Sequence, residues 1–369
     1  MTIVGIGGCT ALVLTGLGLH DSISDIVNMQ YLSDKPITAY NCAVGIDEDA
    51  TNKDLDAIDD ILVNTGEATK LVNVEREQLQ LKGKDVQISL TTLIPDDSSE
   101  LAEVVSLRDR LTQEPIKFDD NSVVITEKAA HVLGIGVGDE IEVFEQDDIG
   151  EPTDTSYKLK VTAITENYMS HYLYVGKQAW MKASGTKFRQ NCVLSNVDSD
   201  WFVRSRVSQQ LEGIDSVSIV SYNNEIIESY TNMLVSVNMV VGVLVVAAAA
   251  LAFIVLYNLT NVNIIERTRE IASLKVLGFM PSEVSLYVYR EIFVSVVLGS
   301  VAGLGFGSVL VRFVIESSET DIVMFGRYIH PLSYVLALLI TLLFALVVMA
   351  FMKPKLSKID MVESLKSVD

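Results

Sequence analysis

The sequence predicts an α-helical membrane protein with four transmembrane helices and an α+β domain inserted between helices 1 and 2. Three observations lead there. Four runs carry no charged residue: Thr2 to Leu19, Leu234 to Tyr257, Ile292 to Val311 and Ser333 to Met352. About 20 apolar residues at 1.5 Å each cross a hydrocarbon core of roughly 30 Å. Neither Leu234 to Tyr257 nor Ile292 to Val311 shows the polar stripe that a helix on a soluble core would keep. The block between the first two runs alternates strand and helix patterns instead. That block also holds the charge: residues 20–232 contain 18 Lys+Arg against 38 Asp+Glu, a net charge of −20, equal to that of the whole chain.

These observations set an expected organisation. Helix 1 covers 1–19, the α+β domain 20–232, helix 2 233–257, a charged loop 258–290 and helix 3 291–315. A short loop at 316–332, helix 4 at 333–352 and a tail at 353–369 complete it. Helix 1 opens without a basic flank or an A-x-A cleavage site. Met1 therefore reads either as an internal methionine of a longer frame or as a bare start.

Within the inserted block, NKDLDAIDDILVNTG places Leu55, Ile58, Ile61 and Leu62 at helical spacing and closes on Gly66. TKLVNVERE and KDVQISLTTLI alternate as half-buried strands, the second ended by Pro95-Asp96-Asp97. SVVITEKAAHVLGIGVGDEIEVF gives a strand, a short helix capped by Thr126, a turn at Gly136/Gly138-Asp139 and another strand. KLKVTAITENYMSHYLYVG supplies two strands and GKQAWMKASG a helix. SDWFVRSRVSQQLEGI is a helix and VSIVSY a strand, after which NNEIIESYTNM runs into helix 2. Cys42 and Cys192 share the block; they either pair or remain lone thiols.

Charge orients the loops. Arg267, Arg269, Lys275 and Arg290 follow helix 2, and Lys353, Lys355, Lys358 and Lys366 follow helix 4. Positive residues in short loops mark the cytoplasmic side, which puts 20–232 and 316–332 outside the cell. Arg312 snorkels from the end of helix 3. The acidic balance excludes a nucleic-acid surface.

The motifs of several chemistries are missing. The sequence contains no G-x-x-x-x-G-K-[ST] phosphate loop, no H-E-x-x-H, no C-x-x-C and no G-x-S-x-G. Its four histidines are scattered singly, which suits neither a metal site nor a catalytic triad. No enzyme activity and no cofactor is therefore expected. Gly299, Gly303 and Gly307 fall four apart inside helix 3, the small-residue face that lets helix backbones approach. Midplane charge of the kind an ion-coupled transporter keeps is absent from the four runs, which reads as a mechanical membrane part.

The loop after helix 2 is the most specific segment. In NVNIIERTREIASLKVLGF, Ile264, Thr268, Ile271 and Lys275 share one helical face, with Arg267, Glu270 and Leu274 beside it. Gly278 supplies a helix stop, Pro281 prevents continuation, and Ser282 caps the next helix. The string resembles the loop after the second span of FtsX-like, MacB-type ABC permeases, which follows N-x-x-x-x-E-R-x-R-E-I-x-x-L-K-x-L-G. Asn261, Glu266, Arg267, Arg269, Glu270, Ile271, Leu274, Lys275, Leu277 and Gly278 carry that pattern here. IDMVESLKS resembles the family's closing segment, and GIGGCTALVLTGLGLHDSI the span that begins the second half of long Gram-positive members.

The resemblance implies a membrane subunit whose loop helix docks on a separate ABC ATPase, with Glu266, Arg267, Arg269 and Glu270 pairing into the ATPase groove. It implies a second permease half as well, from another copy, a paralogue or an upstream part of the same polypeptide. Its work would be export, lipoprotein handling or control of a cell-wall hydrolase. The competing reading is a membrane-anchored sensor or scaffold with no ATPase coupling.

Overall fold

The computed structural model describes every residue except Met1, Lys84, Asp85, Asp148, Arg267, Thr268, Arg269, Ile271, Ala272, Lys275, Thr320 and 358–369. It divides into two compact units. A helical unit comprises 1–24, 233–318 and 326–369, and a sheet unit comprises 25–232 and 319–325.

Among the described residues, the helical unit contains four long helices: α1 (Thr2–Val27), α7 (Asn223–Glu266), α8 (Pro281–Ser318) and α9 (Pro331–Ser357). Each contains a stretch long and apolar enough to cross a membrane, so the expected four-helix class with an α+β domain between the first and second is present. Helix α1 is longer than the run Thr2 to Leu19. It continues through His20, Asp21 and Asp25, because Asp21 finds donors in the backbone of His330 (3.0 Å) and the hydroxyl of Ser333 (2.5 Å). A buried carboxylate at the start of α9 faces the unsatisfied N–H groups of that helix end, where negative charge is stabilised.

Two apolar clusters fill the helical unit. Ile6, Ile292, Val296, Ala345 and Val348 form one; Val13, Leu14, Ala248 and Ala337 form the other. Thr10 and Thr341 share a hydrogen bond of 3.2 Å between α1 and α9, each hydroxyl also returning to its own helix four residues back. Arg312 pairs with Glu316 one turn further along α8, at 3.0 Å.

The sheet unit has ten strands among its described residues: β1 (Cys42–Ile46), β2 (Leu71–Lys82), β3 (Gln87–Pro95), β4 (Val123–Thr126), β5 (Glu140–Gln146), β6 (Pro152–Lys160), β7 (Ala163–Thr165), β8 (Tyr172–Val175), β9 (Cys192–Ser195) and β10 (Val217–Tyr222). Their order is β10-β1-β9-β2-β3-β8-β4-β7, and β5 leaves β2 to pair with β6. Among the described strands, only β3–β8 and β4–β7 are parallel. Strand β2 is long enough to hold β9 over 71–74 and β5 over 79–81 on one edge, with β3 along the other.

Five short helices cover the sheet: α2 (Asn52–Asn64), α3 (Leu101–Val104), α4 (Glu127–Leu133), α5 (Lys177–Ser184) and α6 (Trp201–Leu211). In α2, Thr51 and Asp54 form a reciprocal capping box, and Ile58 and Leu62 turn into the core. Thr126 does sit at the N-cap of α4, but its hydroxyl makes no cap bond. It accepts the Tyr172 N–H at 3.2 Å, because β8 needs a partner there. Where two strands were expected over 158–176, β6, β7 and β8 are found.

Cys42 and Cys192 are free and buried. Cys42 lies opposite Ser195, and Cys192 opposite Gly45, so the two are three rungs apart on adjacent strands. An odd separation puts their side chains on opposite faces of the sheet. They accordingly join different clusters, Cys42 with Ile58 and Leu62, Cys192 with Val72 and Leu93.

Candidate functional site

The segment after α7 is where the sequence concentrates its specific residues. Glu266 is the last residue of α7, and Glu270 is helical and exposed. Leu274 is half-buried beside the Ile292 and Val296 cluster. Arg267, Arg269, Ile271 and Lys275 lie outside the described residues. Gly278 takes a φ of +93°, a region open to glycine and strained for other residues. The Phe279 N–H reaches the Leu274 carbonyl at 3.2 Å, the six-residue closure that ends a helix on a left-handed glycine.

Pro281 opens α8 rather than merely blocking its predecessor. It occupies the first helical position, where its missing N–H costs nothing. Glu283 accepts the Met280 N–H at 2.8 Å, so the cap falls at Met280 and Ser282 lies inside the first turn.

Along α8, Gly299, Gly303 and Gly307 lie against α1. A Cβ built on Gly299 would stand 3.0 Å from the Ile3 carbonyl oxygen, and one on Gly303 2.5 Å from that of Gly7. One on Gly307 would stand 3.0 Å from the Ala11 Cα, so small residues on α1 answer the glycines on α8. Gly305, on the other side of α8, would meet nothing within 4 Å.

The sheet unit holds a polar core that no sequence motif announced. Gln30, in a π-helical turn at Asn28–Leu32, donates to Thr38 and to Asn167, both at 2.9 Å, and accepts the Tyr168 N–H. Glu166 takes Arg108 at 2.5 Å and the Tyr168 hydroxyl at 2.6 Å. Every carboxylate and amide named here is satisfied, which is what allows such groups to be buried.

Residues Glu319–Phe325, expected to be part of a plain loop, belong to this unit. The Ser170 N–H donates to the Ile322 carbonyl and the Met324 N–H to that of Tyr168, both at 3.0 Å. Met169 bridges Val323, and Lys128 Nζ reaches Glu319 Oε2 at 2.9 Å. His171 is buried beside this strap. Burial lowers its pKa, the Lys128 ammonium adds to the effect, and Asp321 opposes it. Among the described residues, no three His, Cys, Asp or Glu side chains could share a metal ion.

With that geometry in place, the chain can be set beside known proteins. Residues 242–361 match the family described as FtsX-like permease C-terminal. That segment, about a third of the chain, is similar to the FtsX-like permeases. The match takes in the second half of α7, the segment after it, and all of α8 and α9. No curated protein matches this chain. Three crystal structures share weaker likeness. The periplasmic region of MacB from Actinobacillus actinomycetemcomitans is 10% identical, over 53% of this chain and 94% of that one, with a TM-score of 0.31. The extracellular domain of the noncanonic ABC-type transporter YknZ from Gram-positive bacteria is 16% identical, over 49% and 98%, at 0.29. A domain of a putative permease from Porphyromonas gingivalis is 11% identical, over 51% and 91%, at 0.24. The sheet topology given above rests on its own hydrogen-bond register.

Proposed function

We propose that this chain is the membrane (permease) subunit of an ABC-type transporter, driven by a separate ATPase that docks on the segment between α7 and α8. The observation that supports the reading is the FtsX-like match over 242–361 together with the N-x-x-x-x-E-R-x-R-E-I-x-x-L-K-x-L-G pattern inside it. Glu266, Arg267, Arg269 and Glu270 pair with charges in the ATPase groove, and Ile271, Leu274 and Lys275 complete the docking helix. Gly278 ends that helix sharply enough for α8 to start three residues later. The clustered Lys and Arg support a cytoplasmic side for this segment and the tail, with the sheet unit outside the cell.

In this reading ATP-driven closure of the ATPase pair moves the docking helix, and the movement reaches the sheet unit through the spans. An ATPase pair offers two grooves and this chain one helix, so a second permease half supplies the other. Export, lipoprotein handling and control of a cell-wall hydrolase all fit the same machinery.

The test is co-purification of the full chain with the phosphate-loop ABC ATPases of the same genome, each co-expressed with it. Reversing Glu266 and Glu270 to Lys is expected to lower recovery at least about tenfold, as losing charge pairs worth roughly 1.4 kcal/mol together would do. Undiminished recovery, with ATPase activity still stimulated, would leave the anchored-sensor reading in its place.

A further inference from the structure

We infer that the groove between α6 and the first turns of α7 is a binding site for a neutral, hydroxyl-rich oligosaccharide. The groove lies within the sheet unit and has a volume of about 950 Å³, at the upper end of small-molecule sites. Its walls are unusual for two neighbouring helices. Trp201, Arg204 and Ser208 recur at three- and four-residue spacing on one face of α6, and Glu212 continues that face at its C-cap. Asn224 and Glu228 stand on the corresponding face of α7. Helix faces that close on each other in water are apolar. These two are polar and leave a cavity between them.

Two features set the chemistry of the groove. Arg204 lines the groove, yet its Nε is buried and has no hydrogen-bond partner. The Arg204 guanidinium is held over the Tyr222 ring at 5.8 Å, and Tyr222 donates to the Arg204 carbonyl at 3.2 Å. The second feature is Trp201, which is 65% exposed on the rim. Asp200 caps α6 through the Phe202 N–H at 2.7 Å, and Phe202 stands edge-on to the indole at 5.1 Å, which fixes the ring.

The chemistry selects among ligand classes. A sugar presents a flat C–H face that stacks on an indole and a rim of hydroxyls that donate and accept at once. The walls supply both partners: guanidinium and amide donors from Arg204, Asn224 and Gln209, carboxylate acceptors from Glu212 and Glu228. A folded peptide partner would need deep apolar sockets for its anchors, and the groove offers only Leu32 and Ile227 beside the aromatic rings. An anionic polymer would meet three glutamates, Glu225 included, against one arginine.

The inference is independent of any ATPase and is tested on the full chain in a detergent without a sugar headgroup. The protein has two tryptophans, Trp180 buried at 3% and Trp201 exposed, so their emission separates the groove from the core. Titration with N-acetylchitotetraose is expected to give a saturable blue shift below about 5 mM, the range of weak site-specific binding. Trp201→Phe should remove the shift while Trp180 still reports a folded sheet unit. Arg204→Lys should weaken binding at least about tenfold with the free spectrum unchanged. The absence of saturation in the wild-type chain would overturn the assignment, as would undiminished binding to Arg204→Lys. Tighter binding of heptalysine than of the sugar would overturn it too, and would make the groove a site for basic peptides.

Discussion

Lys128 Nζ lies 2.9 Å from Glu319 Oε2, joining residues 191 positions apart, with side-chain exposures of only 11% and 5%. The Phe325 N–H shares the same carboxylate at 3.3 Å. The pair thus fastens the start of the Glu319–Phe325 strap to α4. Burying two charges is costly, and the attraction between them roughly offsets that cost; removing one partner leaves the other charged and unpaired. Glu319→Gln or Lys128→Met alone is expected to destabilise the sheet unit by about 3–5 kcal/mol. Joining Lys128→Met with Glu319→Leu should cost less than either single change. Denaturant unfolding followed by Trp180 emission measures all three, and additive losses would show that the pair is not coupled.

That strap also marks where reading the sequence stops. Helix α2 is written locally, in the spacing of Leu55, Ile58, Ile61 and Leu62 behind a Thr51-x-x-Asp54 cap. The strap is held by bonds from Met324 and Ile322 to Tyr168 and Ser170, which leave no periodicity in either segment. The end of α1 is hidden for a related reason. Asp21 and Asp25 end a hydropathy run, although Asp21 is accommodated by donors more than 300 residues away. For the candidate sites, the four-residue spacing of Gly299, Gly303 and Gly307 is visible in the sequence. Nothing in that spacing says that Gly7 and Ala11 are what they meet. The groove beside Trp201 has no motif at all, since it exists only once α6 and α7 lie side by side.

His171 makes the sheet unit sensitive to acid. Its folded pKa lies below the usual 6.5, through burial first and the Lys128 charge next, against the opposing pull of Asp321. The unfolded chain therefore takes up a proton that the folded chain refuses. Stability conferred by neutral His171 is fully present above pH 6.5 and is lost as pH falls below it towards the folded pKa, by at most about 1.4 kcal/mol per pH unit. His171→Gln should flatten that part of the profile without changing its slope above pH 7. An unaltered slope between pH 6.5 and 5 would place the acid sensitivity elsewhere.

The cysteines should be silent towards thiol reagents in the native sheet unit. Burial pushes the Cys42 thiol up to about 12 and the Cys192 thiol to about 11. The thiolate is the nucleophile, so at pH 8 less than about one part in a thousand of either is reactive. Maleimide is expected to label neither residue until denaturant is added, and reductant should leave the melting temperature unchanged. Rapid labelling of either in the folded chain would contradict their burial.

Gly303 offers a test of the helix face with its control two residues away. A methyl group on Gly303 would stand 2.5 Å from the Gly7 carbonyl oxygen and 2.7 Å from the Thr10 Cβ, whereas one on Gly305 would meet nothing within 4 Å. The close neighbours of Gly303 are backbone and a β-carbon, so no flexible side chain can swing aside. Replacing either glycine with alanine raises helix propensity by about the same amount, up to roughly 1 kcal/mol. Gly305→Ala should therefore be neutral or slightly stabilising, while Gly303→Ala should cost about 1–3 kcal/mol through overpacking. Lipid gives helices no hydrophobic drive towards one another, so close backbone approach is a main source of packing energy, and this loss should not be recovered elsewhere. Gly303→Leu should then fail to assemble, whereas Val301→Leu, at a position 60% exposed, should not. Thermal aggregation of the detergent-purified chain ranks the four variants. Equal melting of Gly303→Ala and Gly305→Ala would mean that α8 does not meet α1 through this face.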